Sequence, residues 1–246
     1  MRYLPLLNRR NIVLAAFVLA LLLTKSMVFG ANEIMNQQKA DTLKAMRLFQ
    51  GTNDGYELDK AFTRAQGSVM LIRLLGWEDK AKTAGGKPAF TDVKKSHWAA
   101  AFIAYANSKG LVRGISNSQF APEETMSGAQ FIALTLRALG YSQAEPANAM
   151  ELAVKSGLLD GKDAKLLTEK KPFLRDDMVA VAYGALTTKM NNSDKTLLQK
   201  LVEDDRSVNK QSALDSGLYK EKTTEPLRSN DPLDQIEYAI RKALNP

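Results

Sequence analysis

The stretch Met126-Ser127-Gly128-Ala129-Gln130-Phe131-Ile132-Ala133-Leu134-Thr135-Leu136-Arg137-Ala138-Leu139-Gly140-Tyr141 decides how this chain is read. Ser127 and Gln130 make a capping box, in which the hydroxyl accepts from the third helical amide while the glutamine reaches back to the cap amide. A helix starts there. Gly140 follows 13 residues after Ser127, where a left-handed residue closes a helix and the next aromatic packs back on it. Between the two signals Phe131, Leu134, Leu136 and Leu139 are apolar, and Thr135 and Arg137 fall elsewhere. That is an amphipathic surface suited to packing on neighbours.

The same order recurs on both sides. Upstream, Leu48-Phe49-Gln50-Gly51 leads through a polar turn with Tyr56 to Phe62-Thr63-Arg64-Ala65-Gln66, then to an apolar run closed by Gly76 and Trp77. In the copy around Ser127, Leu111-Val112-Arg113-Gly114 and a turn with Phe120 and Pro122 take those places. A looser third copy runs from Leu158-Leu159-Asp160-Gly161 to Phe173-Leu174-Arg175-Asp176-Asp177 and on to Leu186. From turn glycine to cap position the spacings are 12, 13 and 13 residues, and self-similarity of this kind marks a repeat architecture. Asp41 to Leu48, Trp98 to Gly110 and Met150 to Gly157 also read as helices. Each repeat is therefore helix, turn, helix. The expected fold is mainly α, a bundle of three such repeats with a short C-terminal helical tail.

Composition shortens the list of functions. The 246 residues hold 34 Lys+Arg against 27 Asp+Glu, one His and no Cys, with 45% hydrophobic residues and a formal charge of +7. This is globular composition. Without Cys, disulfide scaffolds, thiolate zinc sites and cysteine nucleophiles are excluded; with His97 alone, so is any metal site or relay needing two imidazoles. No cofactor is expected. An exported hydrolase would need a carboxylate pair, and Asp176-Asp177 and Glu123-Glu124 are sequence neighbours that do not converge on one substrate. The chain is expected not to be an enzyme.

Arg2, Arg9 and Arg10 precede an apolar run from Ile12 to Leu23 and a small-residue stretch ending at Gly30-Ala31. That is the pattern of a secretory signal peptide over residues 1–30. The apolar run is shorter than the roughly 20 residues that span a bilayer, and an uncleaved anchor is the alternative. Contact with a membrane is expected only through this leader, before cleavage. Residues 31–246 carry 30 cations against 27 anions, so the basic balance belongs partly to the leader. No basic stripe with interleaved aromatics remains to bind nucleic acid.

The second copy has a fuller preface, Phe90-Thr91-Asp92-Val93 followed four residues later by Trp98-Ala99. With Gly110, Gly114, Phe120, Pro122 and the two capping boxes, this resembles the S-layer homology domain, and the resemblance covers about residues 40 to 190. It implies a pseudo-threefold α-helical unit that anchors exported proteins to the secondary polysaccharide of Gram-positive cell walls. Grooves between its lobes hold the glycan, often one capped by an acidic pyruvyl sugar. The repeats would run over about 40–77, 90–141 and 150–190 within a unit of residues 31–190, with a helical or linker tail over 191–246. The implied glycan-binding residues are Gly51, Arg64, Gln66, Trp98, Gly114, Gln130 and Arg175.

An Arg in the first turn would add its guanidinium to the free amides and positive end of a helix. Arg64 and Arg175 hold that place, but the second copy has Gly128, so at most two grooves look competent. Gly128→Arg is expected to restore a third. An exposed Arg64 would oppose the helix dipole, which points to an anion or a carboxylate partner. Arg175 is expected to bind less well, with Asp176 and Asp177 repelling the anion and competing for the guanidinium. Trp98 reads as a packing residue or a sugar platform, and His97 as a turn or surface residue.

The remaining segments are weaker. Lys162, Lys165, Lys170 and Lys171 read as a solvated loop, and Ala84 to Ala89 as a linker. Leu197, Leu198, Leu201 and Val202 suggest a short helix, and Glu203 to Leu227 resembles a linker. A last helix is expected, capped by Asn230 or Asp231 with Pro232 next, and Leu233, Ile236, Ile240 and Leu244 on one face. It would dock on the repeats or bind a protein partner. Two functions stay open: a wall-polysaccharide anchor and a helical protein-interaction scaffold at the cell surface.

Overall fold

Two reciprocal caps frame the fold. The structure, a computed structural model, describes residues 35–85, 90–169, 172–221, 235–237, 239, 240 and 243. The expected leader (1–30), part of the expected 84–89 linker, Lys170 and Lys171 lie outside the described residues. The first helices in chain order are α1 (Gln37–Ala45), α2 (Arg64–Leu74), α3 (Glu78–Thr83), α4 (Ala100–Ser108) and α5 (Gly128–Ala138). At the start of α2, Thr63 Oγ1 accepts from Gln66 N at 3.3 Å, and Gln66 Oε1 accepts from Thr63 N at 3.0 Å. Ser127 and Gln130 repeat both bonds at α5, at 3.3 and 3.0 Å. Both helices stop as expected. Gly76 (φ 64°) and Gly140 (φ 95°) take the left-handed conformation, and Trp77 N and Tyr141 N each reach back 2.9 Å, to the carbonyls of Ile72 and Leu136. Paired bonds of this kind close a helix.

The third copy supplies α6 (Ala149–Ser156), α7 (Gly161–Glu169) and α8 (Arg175–Thr187). No hydroxyl caps α8; Asp177 Oδ2 accepts from Leu174 N at 2.9 Å, the return half of the box. Helix α4 packs on α2, α6 on α5, and α1 on α8, so each first helix covers the capped helix of another copy and the chain closes into a ring. The closing contact is polar and buried. Asn36 N donates to Asp176 Oδ1 at 2.9 Å and Asn36 Nδ2 to Asp176 Oδ2 at 2.8 Å. Helix starts are shared in the same sense. The amides of Arg64 and Ala65 donate to the carbonyls of Glu124 and Pro122, and those of Arg175 and Asp176 to Lys60 and Leu58. The residues just before the three helix starts, Phe62, Met126 and Phe173, are all buried. Phe62 meets Phe131 edge-on at 5.7 Å and Phe173 at 5.7 Å.

Three expectations are corrected. The Lys-rich turn is helix α7, because Asp160 Oδ1 caps it through Asp163 N at 2.7 Å and Ala164 and Leu167 are buried on one face. The segment from Glu203 is not wholly a linker. The expected short helix α9 (Leu197–Gln199), with a third capping box at Thr196 and Gln199, runs into a π-helical turn over Lys200–Asp204. Helix α10 (Lys210–Asp215) follows, capped by Asn209, and Val208, Ala213 and Tyr219 bury themselves around it. In the tail, residues 235–237, 239, 240 and 243 are helical as expected, but Ile236 and Ile240 are 56% and 53% exposed rather than buried; the expected cap at Asn230 or Asp231, with Pro232, Leu233 and Leu244, lies outside the described residues. No helix of the described residues is long and apolar enough to cross a membrane.

Candidate functional site

The seven residues expected at the site fall into two clefts, four in one and three in the other. The first cleft, about 230 Å³, is lined by Gly51, Gln66, Trp98 and Arg175, joined by Arg73. The second, about 250 Å³, is lined by Arg64, Gly114 and Gln130, joined by Arg113, Arg137 and Glu145. Their plans match. Each takes a turn glycine and a capping glutamine from one copy and the helix-start arginine from the copy before it in the ring. Each adds an arginine ten residues beyond the cap position, Arg73 after Thr63 and Arg137 after Ser127.

In the first cleft Arg175 is buried, with its side chain only 9% exposed. Nη1 lies 3.6 Å from Glu57 Oε2, and among the described residues the buried Nε has no partner. Burial lowers its pKa, against the pull of Glu57. Of the neighbouring carboxylates, Asp176 is bonded to Asn36, and Asp177 accepts from Leu174 N. Arg73 is held by Glu78, Nε to Oε2 at 3.0 Å. Gln66 Oε1 is held by the cap, which leaves its Nε2 amide as the donor it can offer a ligand. A Cβ on Gly51 would stand 2.4 Å from Gly55 O, so this tight turn admits no side chain.

Trp98 is 57% exposed, which overturns the packing alternative. It precedes the first turn of α4, where Ala99, Ala100 and Ile103 already fill the interior. The His97 ring stacks on the indole at 5.9 Å and 28°. His97 Nδ1 accepts from Ala99 N at 3.1 Å, so Nε2 carries the proton and donates to Glu123 Oε1 at 2.8 Å. His97 is the expected turn residue. It also fixes the face that Trp98 presents.

In the second cleft Arg64 is buried, not exposed. Within the protein its hydrogen-bond partners are carbonyls and not a carboxylate: Nε donates to Phe120 O at 2.8 Å and Nη2 to Arg113 O at 2.9 Å, with the guanidinium 4.6 Å from the Phe120 ring centre. Burial lowers its pKa, and Glu124 and Asp92 oppose that. The helix-start amides are likewise taken by Glu124 and Pro122. They are not free to bind a ligand, as the sequence reading supposed. Asp92 braces the same turn by accepting from Phe120 N at 2.9 Å and Ala121 N at 2.7 Å. Burial would raise its pKa, but these amides and Arg64 outweigh it and hold the carboxylate below its ordinary range. Gly114 is constrained like Gly51, with a Cβ only 2.4 Å from Gln119 O.

Arg137 is also enclosed in this cleft, its side chain 4% exposed. Nε donates to Ala144 O at 2.8 Å, Nη1 to Leu111 O at 3.2 Å and Nη2 to Glu145 Oε2 at 2.8 Å. Burial, with Arg113 nearby, pushes its pKa down to about 10. Glu145 also pairs with Arg113. Sequence reading missed Arg73, Arg113, Arg137 and Glu145. Aligning the copies on their caps exposes Arg73 and Arg137, but nothing local marks Glu145.

The cleft beside Gly128 has a mostly apolar lining, with Thr125, Ser127 and Thr168 as its polar members. Gly128, Met126, Met150, Leu167, Pro172 and Phe173 border about 410 Å³. A Cβ on Gly128 would lie 2.9 Å from Phe173 Cδ2, and Phe173 is buried against Phe62 and Phe131. An arginine there would collide with the ring rather than restore a site. Among the described residues no group of three or more His, Asp or Glu could hold a metal ion.

The fold is thus a ring of capped helices with two clefts built to one plan. Residues 89–132 match the family model of the S-layer homology domain. A cell surface protein of Thermoanaerobacter kivui is 34% identical over 151 residues, 60% of this chain and 19% of that protein. A cellulosome-anchoring protein of Acetivibrio thermocellus is 30% identical over 84 residues, 34% of this chain and 19% of that protein. An endoglucanase of a Bacillus species is 40% identical over 83 residues, 34% of this chain and 8% of that protein. The chain thus spans a fifth or less of the length of these relatives.

Proposed function

We propose that the chain is a non-catalytic anchoring module, exported after removal of residues 1–30, which holds to the secondary polysaccharide of a Gram-positive cell wall. Three repeats over about 40–77, 90–141 and 150–190 would form the unit, and two of the clefts between them would take glycan. One observation carries this reading: the two polar clefts are built to one plan from different copies, down to the arginine ten residues past the cap. Buried arginines at two clefts of one plan fit recognition of a polar glycan better than packing alone. Names among the relatives support it, since they include a cell surface protein and a cellulosome-anchoring protein. The endoglucanase among them fits a module attached to varied partners.

In the first cleft Trp98 would offer an aromatic face to a sugar ring, Gln66 Nε2 a donor, and Arg175 the charge. In the second, Gln130 Nε2 and the guanidinium edges of Arg64 and Arg113 would act. The test is retention of residues 31–246 by purified wall sacculi before and after chemical removal of the secondary polymer. Retention is expected only before removal. No retention in either state moves the protein-interaction scaffold ahead.

A further inference from the structure

Glu145 sets the second cleft apart from the first. Its carboxylate lies in the lining, 41% exposed, with Oε2 2.8 Å from Arg137 Nη2 and Oε1 paired to Arg113 Nη1. Both oxygens are engaged, one per guanidinium, which is how a ligand carboxylate would sit between two arginines. The local chain holds it there. Glu145 N donates to Asn148 Oδ1 at 2.8 Å, and Arg137 Nε grips the adjoining Ala144 carbonyl at 2.8 Å. The first cleft differs. Arg73 and Arg175 are its lining cations and no carboxylate lines it; Glu78 and Glu57 approach those arginines from outside the lining.

We propose that Glu145 is a built-in stand-in for the acidic group of the glycan, occupying the anion position between Arg113 and Arg137. The first cleft is then the site for acidic sugars, and the second favours uncharged ones. This inference rests on the reading of both clefts as glycan sites. An incoming carboxylate at the second cleft meets a fixed negative charge inside the lining, whereas an uncharged sugar is not repelled by it. Glu145 therefore acts by exclusion, a repulsive element that sorts ligands between two otherwise matching sites.

Calorimetric titration with purified wall polysaccharide tests this, alongside the same polymer after its carboxyl groups are reduced to alcohols. The first cleft is weakened by Trp98→Ala, and Glu145→Gln is added to that background. Affinity for the acidic polymer is expected to rise about tenfold on adding E145Q, the scale of one removed like-charge contact, and to show no rise with the reduced polymer. Arg137 loses its counter-charge in E145Q, so Glu145→Asp is a second variant, with a stem too short to span both arginines. It is expected to gain less than E145Q. The ligand-induced rise in melting temperature gives a second readout for each variant. Unchanged or weaker affinity in both variants, or a gain that persists on the reduced polymer, overturns the role of Glu145 while leaving the glycan reading standing. A parent chain that binds neither polymer overturns the glycan reading itself.

Discussion

Arg64 and Gly128 occupy the same place, one residue past a capping hydroxyl, yet one opens a polar cleft and the other an apolar one. The caps around them are alike to within the length of their hydrogen bonds. Helix initiation is therefore uncoupled from what the helix start presents. In the first case a guanidinium fills the space toward the next turn and bonds its carbonyls; in the second that space belongs to Phe173, and the glycine is what lets the ring in. The framework is common, and the residue after the cap decides whether the cleft beside it is polar or apolar.

The largest effect should come from breaking the packed side. Phe173→Ala empties the contact with Phe62 and Phe131 and is expected to cost about 3–5 kcal/mol in urea unfolding. A loss below 1 kcal/mol would mean that the apolar cleft is loosely filled. On the polar side, Arg64→Ala strands the carbonyls of Phe120 and Arg113 and should cost about 2–3 kcal/mol. Arg64 therefore cannot be tested by wall binding alone; melting must be followed in parallel, and an unaltered melting curve would contradict the buried bonds. Gly128→Arg should lower stability by about 1–3 kcal/mol through overpacking against Phe173. Gain of wall binding without loss of stability would reverse that assignment.

The caps come next. Thr63→Ala and Ser127→Ala should each cost about 0.5–2 kcal/mol and differ little from one another, because the bonds they remove are the same. A large inequality between them would show that the neighbouring Arg64 or Gly128 does influence the cap. Smallest is Trp98→Ala, which should change stability by no more than about 0.5 kcal/mol because the ring is exposed. Its retention by sacculi should nonetheless fall, and intact retention would remove Trp98 from the site.

What the sequence made legible was local chemistry. Caps at Thr63 and Ser127 and stops at Gly76 and Gly140 depend on bonds made within a few residues, and each lies where expected. The helix start at Arg175 was found through repetition, although it lacks a hydroxyl. Helices α7 and α10 were lost among charged residues, even though Asp160 and Asn209 are sound cap signals, because each buries only one narrow face. The site residues were named without their grouping. That Gly51 and Arg175 line one cleft follows from ring closure, which brings residues from opposite ends of the repeat region together. The two carbonyls that hold Arg64, about 50 residues away, have no sequence signature, so its position in the first turn points only to an anion or a carboxylate.

The bond from Asn36 to Asp176 bears on how such a unit is inherited. In an open stack, repeats can be added or lost at the ends, since a terminal unit touches a single neighbour. Here every first helix covers a capped helix of another copy, and α1 closes the circuit on α8. Duplicating or deleting one copy would leave two unmatched faces and an orphaned buried carboxylate at Asp176. Loss or gain of one copy is therefore expected to break the ring, where in an open array it would only shorten or lengthen it.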